Sequence, residues 1–413
     1  MQLISYIKSS KKMMVLTDQI IFSGNSFLLT ILMARILNPE KFGVFASIIL
    51  GLYLCISVLN ALVVQPYQVS IAKEKNKQAY TSFSFFFQII LVAITLILLN
   101  TLSFIQLDFL FEFNTLIMPL MLFAFGFIMQ DYFRKIFLAQ SEIEATILID
   151  GLTAFLQISI LIAGLFLFSF SLNHMLWLLG LACLPSILMG TVLLGPSLAK
   201  LDLWKSFIKS QWNQSKWLVL TAMVQWWSGN LFVVMSGVFI SIEALGAFRL
   251  VQSLFGILNI LLQTFENYVL PQASSLLHES ASKAQRYLKS VGLRSFMLFA
   301  LIISMVFAFS EQIIQLAGGA QYVSYAYVIK GMSVLYLIIF MGYPIRLSIR
   351  ALILNKSFFL GYLISLTFSL ISFQYLLHNW GLVGAISGLI ASQIIVLSYW
   401  QFILIQKKFI LWK

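Results

Sequence analysis

The sequence has little of what soluble proteins and enzymes rely on. Charged residues fill only 10% of its 413 positions while apolar residues fill 61%, against roughly 25% charged in ordinary soluble domains. That deficit excludes a soluble globular domain and points to a polytopic membrane protein. The two cysteines, Cys55 and Cys183, both sit inside apolar runs, which excludes a disulfide framework and a cysteine-based metal site. Three scattered histidines add no ligand cluster, so no metal or other cofactor is expected. No glycine-rich phosphate loop of the Walker type is present, which argues against an ATPase of that kind. Acidic residues are scarce as well, 14 Asp and Glu against 26 Lys and Arg, for a net charge of +12. In a membrane protein such an excess reads first as a topology signal and not as a nucleic-acid surface.

What is present in abundance is apolar sequence in runs of about 20 residues, the length that crosses a bilayer. Six runs, roughly 16–37, 43–64, 80–99, 115–133, 145–170 and 174–195, precede the midpoint. Six more, roughly 217–240, 246–270, 291–316, 322–345, 357–377 and 381–405, follow it. The run at 115–133 is the weakest and leaves a re-entrant segment open. The first run has no small-residue cleavage site after it and is expected to stay as a helix. Of the 26 basic residues, 22 fall in the ends and loops of one side; Arg35, Lys41, Arg249 and Lys330 lie on or toward the other. The count includes Lys8, Lys200 and Lys413. This bias predicts twelve spans with both termini cytoplasmic.

Between the halves lies the longest polar interval, Leu198 to Trp217. Leu201, Trp204, Phe207, Ile208 and Trp212 recur there at helical spacing, with Lys200, Lys205, Lys209 and Lys216 among them. That pattern suits a helix lying flat among headgroups; the plainer alternative is a polar loop. The predicted organisation is a bundle at 1–197, an amphipathic cytoplasmic linker at 198–216 and a bundle at 217–413. A repeat supports it. Glu40, Gly43 and Phe45 open the second run with the pattern E-x-x-G-x-F, and Glu243, Gly246 and Phe248 repeat it 203 residues later. Weaker echoes follow: Pro66 and Pro271 are expected to end the second and eighth helices, and Arg134 with Phe137, Leu138 and Ser141 parallels Arg350 with Ile353, Leu354 and Ser357. Six spans per half make the repeats parallel, related by an axis along the membrane normal.

The eighth run carries the clearest polar pattern. Arg249, Gln252, Ser253, Gly256, Asn259, Gln263, Glu266 and Asn267 follow three/four spacing and form a stripe about 25 Å long. Lipid does not accept such a stripe, so it faces either a water-filled cavity or a polar helix contact; the charge near each end favours the cavity. The seventh run has a milder set, Thr221, Gln225, Ser228, Gly229, Phe232 and Ser236, more typical of helix packing. In the first run Asp18 and Asn25 share a face, Asp18 suiting a capping or a functional role equally. Arginine presents planar donors suited to phosphate oxygens. The cationic candidates are Arg249 and Lys330 within the membrane, Arg35 near the outer end of the first span, and Arg134, Arg346 and Arg350 at the cytoplasmic mouth. Lys330 could equally snorkel outward. Arg134 could equally pair with Asp131 or serve as a topology anchor.

Several of these residues resemble a known family. Thr17, Asp18 and Gln19, then Ala34, Arg35, Asn38, Pro39, Glu40 and Gly43, then Gln130, Arg134, Lys135 and Ala139 look like the polysaccharide-export flippases. So do Leu245, Gly246, Arg249 and Gln252, and Glu266, Asn267 and Pro271. That superfamily also holds the multidrug and toxic compound extrusion transporters. The resemblance implies an all-α protein of about twelve transmembrane helices in two six-helix bundles around a central cavity. It further implies a flippase of the bacterial inner membrane, carrying a polyprenyl-diphosphate-linked oligosaccharide such as an O-antigen or capsule repeat unit by alternating access. Its partners would be that lipid, the membrane lipids and other glycan-assembly membrane proteins. On this reading Arg249, Gln252, Asn259, Gln263, Lys330, Arg35, Arg134, Arg346 and Arg350 are candidates for substrate, and Glu266 and Asp18 for a coupling proton or cation. A cation-coupled drug antiporter shares the architecture and stays open. A membrane glycan polymerase would need a large external loop, and none here exceeds about 18 residues.

Overall fold

The computed structural model describes residues 11–102, 111–197 and 201–411, and among these every regular element is helical. Lys8, Lys200 and Lys413 of the topology count, and Leu198 and Ala199 of the polar interval, lie outside the described residues. Before the midpoint run α1 (Lys11–Ile36), α2 (Pro39–Ser70), α3 (Lys77–Leu102), α4 (Phe111–Ala139), α5 (Ile143–Phe166) and α6 (Leu172–Leu194). After it come α7 (Leu201–Phe239), α8 (Ile242–Glu279), α9 (Ala281–Ala308) and α10 (Ala326–Ala351). A short helix, Ser310–Gly318, and a 3-10 turn, Ala320–Tyr325, join α9 to α10. The 29 residues of α4 are more than enough to cross a bilayer, which removes the re-entrant alternative.

The last helical stretch, Asn355–Gln406, has 52 residues and would be about 78 Å long if straight, far beyond a hydrocarbon core of about 30 Å. It is not straight. Gly381 has φ 53° and ψ −134°, a left-handed backbone that glycine adopts without a side-chain clash. Around it the chain doubles back: Ser369 and Ser392 share a 2.8 Å hydrogen bond, Trp400 donates to the Ser357 carbonyl at 3.1 Å, and Gly361 abuts the Trp400 ring. Each pair straddles Gly381 nearly symmetrically, as in an antiparallel hairpin of two arms, α11 (355–380) and α12 (382–406). Eleven described helices are long and apolar enough to cross a membrane, and the hairpin makes twelve crossings of them. The protein is a multi-pass membrane protein.

The described chain divides into two compact units. Unit 1 takes the residues up to Leu37 together with Ile48–Met223, and unit 2 takes Asn38–Ser47 and Val224–Lys413. Inside unit 2 the two copies of the E-x-x-G-x-F repeat meet. Asn38 caps α2, its side chain accepting from the Lys41 amide at 2.8 Å, and Ser241 caps α8 by accepting from the Ala244 amide at 3.1 Å. Glu40 and Glu243 lie in the first helical turns, where a carboxylate is favoured by the helix dipole; they are helix-start residues. A side chain at Gly43 would run into the Ile242 carbonyl, and one at Gly246 would come within 2.9 Å of the Gly43 Cα. The repeated glycine therefore marks a backbone-to-backbone crossing.

Two expectations are corrected. Pro66 and Pro271 do not end their helices: α2 continues to Ser70 and α8 to Glu279. At Pro66 the reason is visible. Proline removes the amide that would bond the carbonyl four residues back, and the preceding turn, Asn60–Val64, is a wider π-turn. The loosened carbonyls find donors elsewhere: Gln211 donates to the carbonyls of Leu62 at 2.8 Å and Val63 at 3.0 Å, and the Ser215 hydroxyl to Leu62 at 2.9 Å. The polar interval is likewise no separate flat helix, because residues 201–216 continue without a break into the seventh span as α7. Within unit 1, Trp204, Phe207, Gln211 and Ser215 face α2 and α3, with Phe207 against Tyr80 at 5.1 Å and Trp204 against Phe83 at 5.6 Å, while Ile208, Trp212, Lys205, Lys209 and Lys216 stay exposed. The buried face is half polar since its task includes satisfying carbonyls.

Candidate functional site

Unit 2 contains a polar lane built on α8. A cavity of about 340 Å³ is lined by Arg249, Gln252 and Asn259 of α8, Gln225 and Ser228 of α7, and Gln393 of α12. A second, of about 290 Å³, is lined by Asn259, Gln263 and Glu266 of α8, Tyr343 and Arg346 of α10, and Gln393. Asn259, Ile339, Tyr362 and Gln393 border both, so the two are consecutive chambers along one helix face. Arg249, Gln252, Asn259, Gln263 and Glu266 of the stripe thus line a cavity, whereas Ser253, Gly256 and Asn267 border neither chamber. Gln225, Ser228 and Gly229 of α7 line the same cavity, although spacing alone suggested packing.

At one end Arg249 donates from Nη1 to the Gln252 side chain at 2.7 Å, an i, i+3 contact that aligns the guanidinium with the stripe. At the other end the buried Glu266 is surrounded. Tyr343 donates its hydroxyl to Oε2 at 2.7 Å, Arg346 lies 3.9 Å from the same oxygen, and Arg350 pairs with Oε1. Arg346 and Arg350 are four apart on α10 and so share a face; Arg346 also lies over the Tyr343 ring at 5.6 Å. One carboxylate between two guanidinium groups leaves a surplus of one positive charge, and both arginines are partly exposed, with side-chain exposures of 35% and 43%. These are donors open to a further anion.

Unit 1 holds the opposite arrangement. Arg134 of α4 pairs through Nη2 with Asp18 of α1 at 2.8 Å and through Nε with Asp150 of α5 at 2.9 Å. It also donates to Gln19 at 3.1 Å and lies over the Phe22 ring at 4.0 Å. Asp18 is 0% and Asp150 1% exposed, and Arg134 8%. Around them Gln130 reaches Asp150 at 3.4 Å, and Asn25 bonds Gln157 at 2.7 Å. Two carboxyl groups about one guanidinium outnumber it by one in a buried place, where a bare charge is costly and a proton or cation on one of them would restore the balance. Asp131, the alternative partner weighed for Arg134, instead binds Lys135 at 2.7 Å and Asn60 at 3.1 Å. Asp18 is therefore no helix cap.

The structure brings Arg249, Gln252, Asn259, Gln263, Glu266, Arg346 and Arg350 together in unit 2, and Asp18 with Arg134 in unit 1. Lys330 borders neither chamber and sits 6.0 Å from the Phe307 ring. Arg35 is exposed on unit 1. Asp150 and Gln393 were missed by pattern reading, although a lone carboxylate or amide inside an apolar span is itself a signal. Tyr343 carries none, because a tyrosine in such a span is unremarkable until its partner is known.

A two-unit helical fold of twelve crossings, with polar chambers inside one unit and a buried ion cluster in the other, defines a multi-pass membrane protein that keeps polar and charged groups inside its spans. The chain is similar to the lipid II flippase MurJ in an inward closed conformation, with a TM-score of 0.74 and 12% identity over 96% of this chain and 89% of that one. It is similar also to an inward-facing multidrug resistance MATE family transporter of the MOP superfamily, with a TM-score of 0.63 and 12% identity over 97% and 96%. An outward-facing MATE family transporter matches at 0.56 and 13% identity, over 94% of each chain. Among curated proteins none matches the chain. Residues 32–327 match the family model described as polysaccharide biosynthesis protein, and the chain belongs to that family.

Proposed function

We propose that the protein is a flippase that moves a polyprenyl-diphosphate-linked oligosaccharide, such as an O-antigen or capsule repeat unit, from the cytoplasmic to the outer leaflet by alternating access. The observation that carries this reading is the positive surplus of unit 2, where Arg346 and Arg350 exceed Glu266 and Arg249 lies farther along the same lane. A diphosphate headgroup is the ligand such a surplus selects, since arginine forks match phosphate oxygens and a low-dielectric surround strengthens the pairing. The amides and hydroxyls of Gln252, Asn259, Gln263 and Gln393 supply hydrogen bonds of the kind sugars accept and donate. Arg134 belongs on this reading to the coupling site, not to the substrate. Asp18 and Asp150 share its single charge, so a proton or a monovalent cation would complete the balance. Glu266, already matched by two arginines, is the weaker place for a coupling cation.

The protein would lie in a bacterial cytoplasmic membrane with both termini cytoplasmic, and the halves 1–197 and 217–413, linked through 198–216, would alternate access. A cation-coupled drug antiporter has equal use for the negative cluster of unit 1, but a cationic drug would be repelled by the arginines of unit 2. The deciding experiment is replacement of Arg249 by Ala and of Arg350 by Gln in cells whose surface glycan depends on this protein. Loss of surface glycan with the variants still in the membrane is expected. Undiminished export in both would remove the arginines as the headgroup site.

A further inference from the structure

In unit 1 the first part of α7, though continuous with the seventh span, does not run alongside its neighbours. Tyr67 of α2 and Tyr80 of α3 stack at 5.4 Å and set a common level near the turn 71–76 that joins the two helices. Trp204 meets Phe83 and Phe86 of α3 at 5.6 and 5.9 Å, and the Ser215 hydroxyl donates to the Leu62 carbonyl of α2 at 2.9 Å. All three partners lie farther from that turn than the tyrosine pair, by no more than about two helical turns. A helix parallel to α2 would shift its contacts by about 16 Å between Trp204 and Ser215. Here the two ends keep nearly the same depth, so the segment crosses α2 and α3 close to their shared end. That end is the wet one, since Lys73 and Lys75 of the turn are exposed. A helix placed across spans at this depth lies where hydrocarbon gives way to headgroups.

The face turned away from α2 and α3 is built to a pattern. Lys205, Lys209, Trp212 and Lys216 follow each other at spacings of four, three and four and share one stripe. All are exposed, Trp212 to 60%, and Ile208 stands exposed beside them. No carboxylate occurs between Lys205 and Lys216.

We infer that this stripe binds anionic phospholipid of the leaflet at that end of unit 1, with the lysines on phosphate oxygens and Trp212 and Ile208 among the first acyl carbons. A topology signal needs only the number of lysines; their confinement to one stripe around an exposed indole is what a bound headgroup requires. A zwitterionic lipid would use the indole and leave the charge uncompensated, and an acidic protein would use the charge and leave the indole and isoleucine without a purpose. Charge and ring together select an anionic lipid surface. The helix gives its residues up to Met223 to unit 1 and those from Val224 to unit 2. Lipid held at the stripe therefore acts on a helix that both units share.

The test uses the full chain in phosphatidylcholine nanodiscs with a trace of phosphatidylglycerol that carries a diazirine near its headgroup. Photolabel is expected on the peptide containing Trp212, removed by excess phosphatidylglycerol and kept in excess phosphatidylethanolamine. Lys205→Gln, Lys209→Gln and Lys216→Gln together should lower it at least about tenfold, and the same three lysines changed to Arg should keep it. Trp212→Ala should lower it with the lysines intact. Lys283→Gln with Arg286→Gln, a change at exposed basic residues of α9, should leave it as in the parent. The stripe is exposed, so all variants should melt in phosphatidylcholine at the temperature of the parent. Label that phosphatidylethanolamine removes equally, or label undiminished in the glutamine triple variant and in Trp212→Ala, would overturn the assignment. Displacement by undecaprenyl diphosphate where phosphatidylglycerol fails would make the stripe a substrate-capture site instead, and displacement by soluble polyglutamate where phosphatidylglycerol fails would make it a protein-docking site.

Discussion

Arg134 is shared by two carboxylates, and Glu266 is shared by two arginines. The two clusters differ in sign, and each predicts its own response. Arg134→Ala would strand Asp18 and Asp150 without a counter-charge, and breaking a buried pair costs about 3–5 kcal/mol. The expected result is a protein that accumulates poorly or melts early in detergent. The triple replacement Arg134→Met, Asp18→Asn, Asp150→Asn should recover much of that stability and none of the transport, as read by thermal unfolding and by surface glycan. Recovery of both would make the cluster merely structural. Asp150→Asn alone removes the surplus charge and should abolish dependence of transport on the ion gradient while leaving diphosphate binding intact. In unit 2, Glu266→Gln frees Arg346 and Arg350, so diphosphate should bind more tightly and turn over more slowly. Weaker binding would mean that Glu266 orients the arginines and does not compete with the headgroup.

At the scale of elements, what could be read from sequence depended on whether a pattern lies within one helix. The stripe from Arg249 to Glu266 was visible because a single helix fixes its geometry, and the twelve runs were visible because hydropathy is local. The Asp18–Arg134–Asp150 cluster is assembled from three helices, with Asp18 and Arg134 separated by 116 residues, and no spacing rule reaches that far. The pairing of Glu266 with the α10 arginines is of the same kind. Pro66 misled because a broken hydrogen bond ends a helix only when nothing else satisfies the carbonyl. Gln211 and Ser215 satisfy it at Leu62 and Val63, so the loosened turn is kept. Gln211→Leu would leave these buried carbonyls short of a donor, at about 1–3 kcal/mol; lower thermal stability is expected, with α7 less protected from hydrogen exchange near residue 211. Unchanged protection would show that the π-turn needs no outside donor. The repeat gained physical meaning from the crossing of Gly43 and Gly246. Gly246→Val should disturb assembly of unit 2 far more than Gly256→Val, where a Cβ meets open space, as measured by detergent-solubilised yield.

For the whole molecule, unit 2 offers positive charge where a headgroup would bind and unit 1 negative charge where a cation would couple. A drug antiporter built on the same fold needs the second and is hindered by the first. The measurement that separates the two readings most directly is the leaflet distribution of polyprenyl-linked oligosaccharide after the gene is removed from its host. The account predicts that repeat units accumulate on the cytoplasmic leaflet, surface glycan disappears, and a copy carrying Arg249→Ala and Arg350→Gln fails to restore it. Normal surface glycan together with altered drug sensitivity would contradict it.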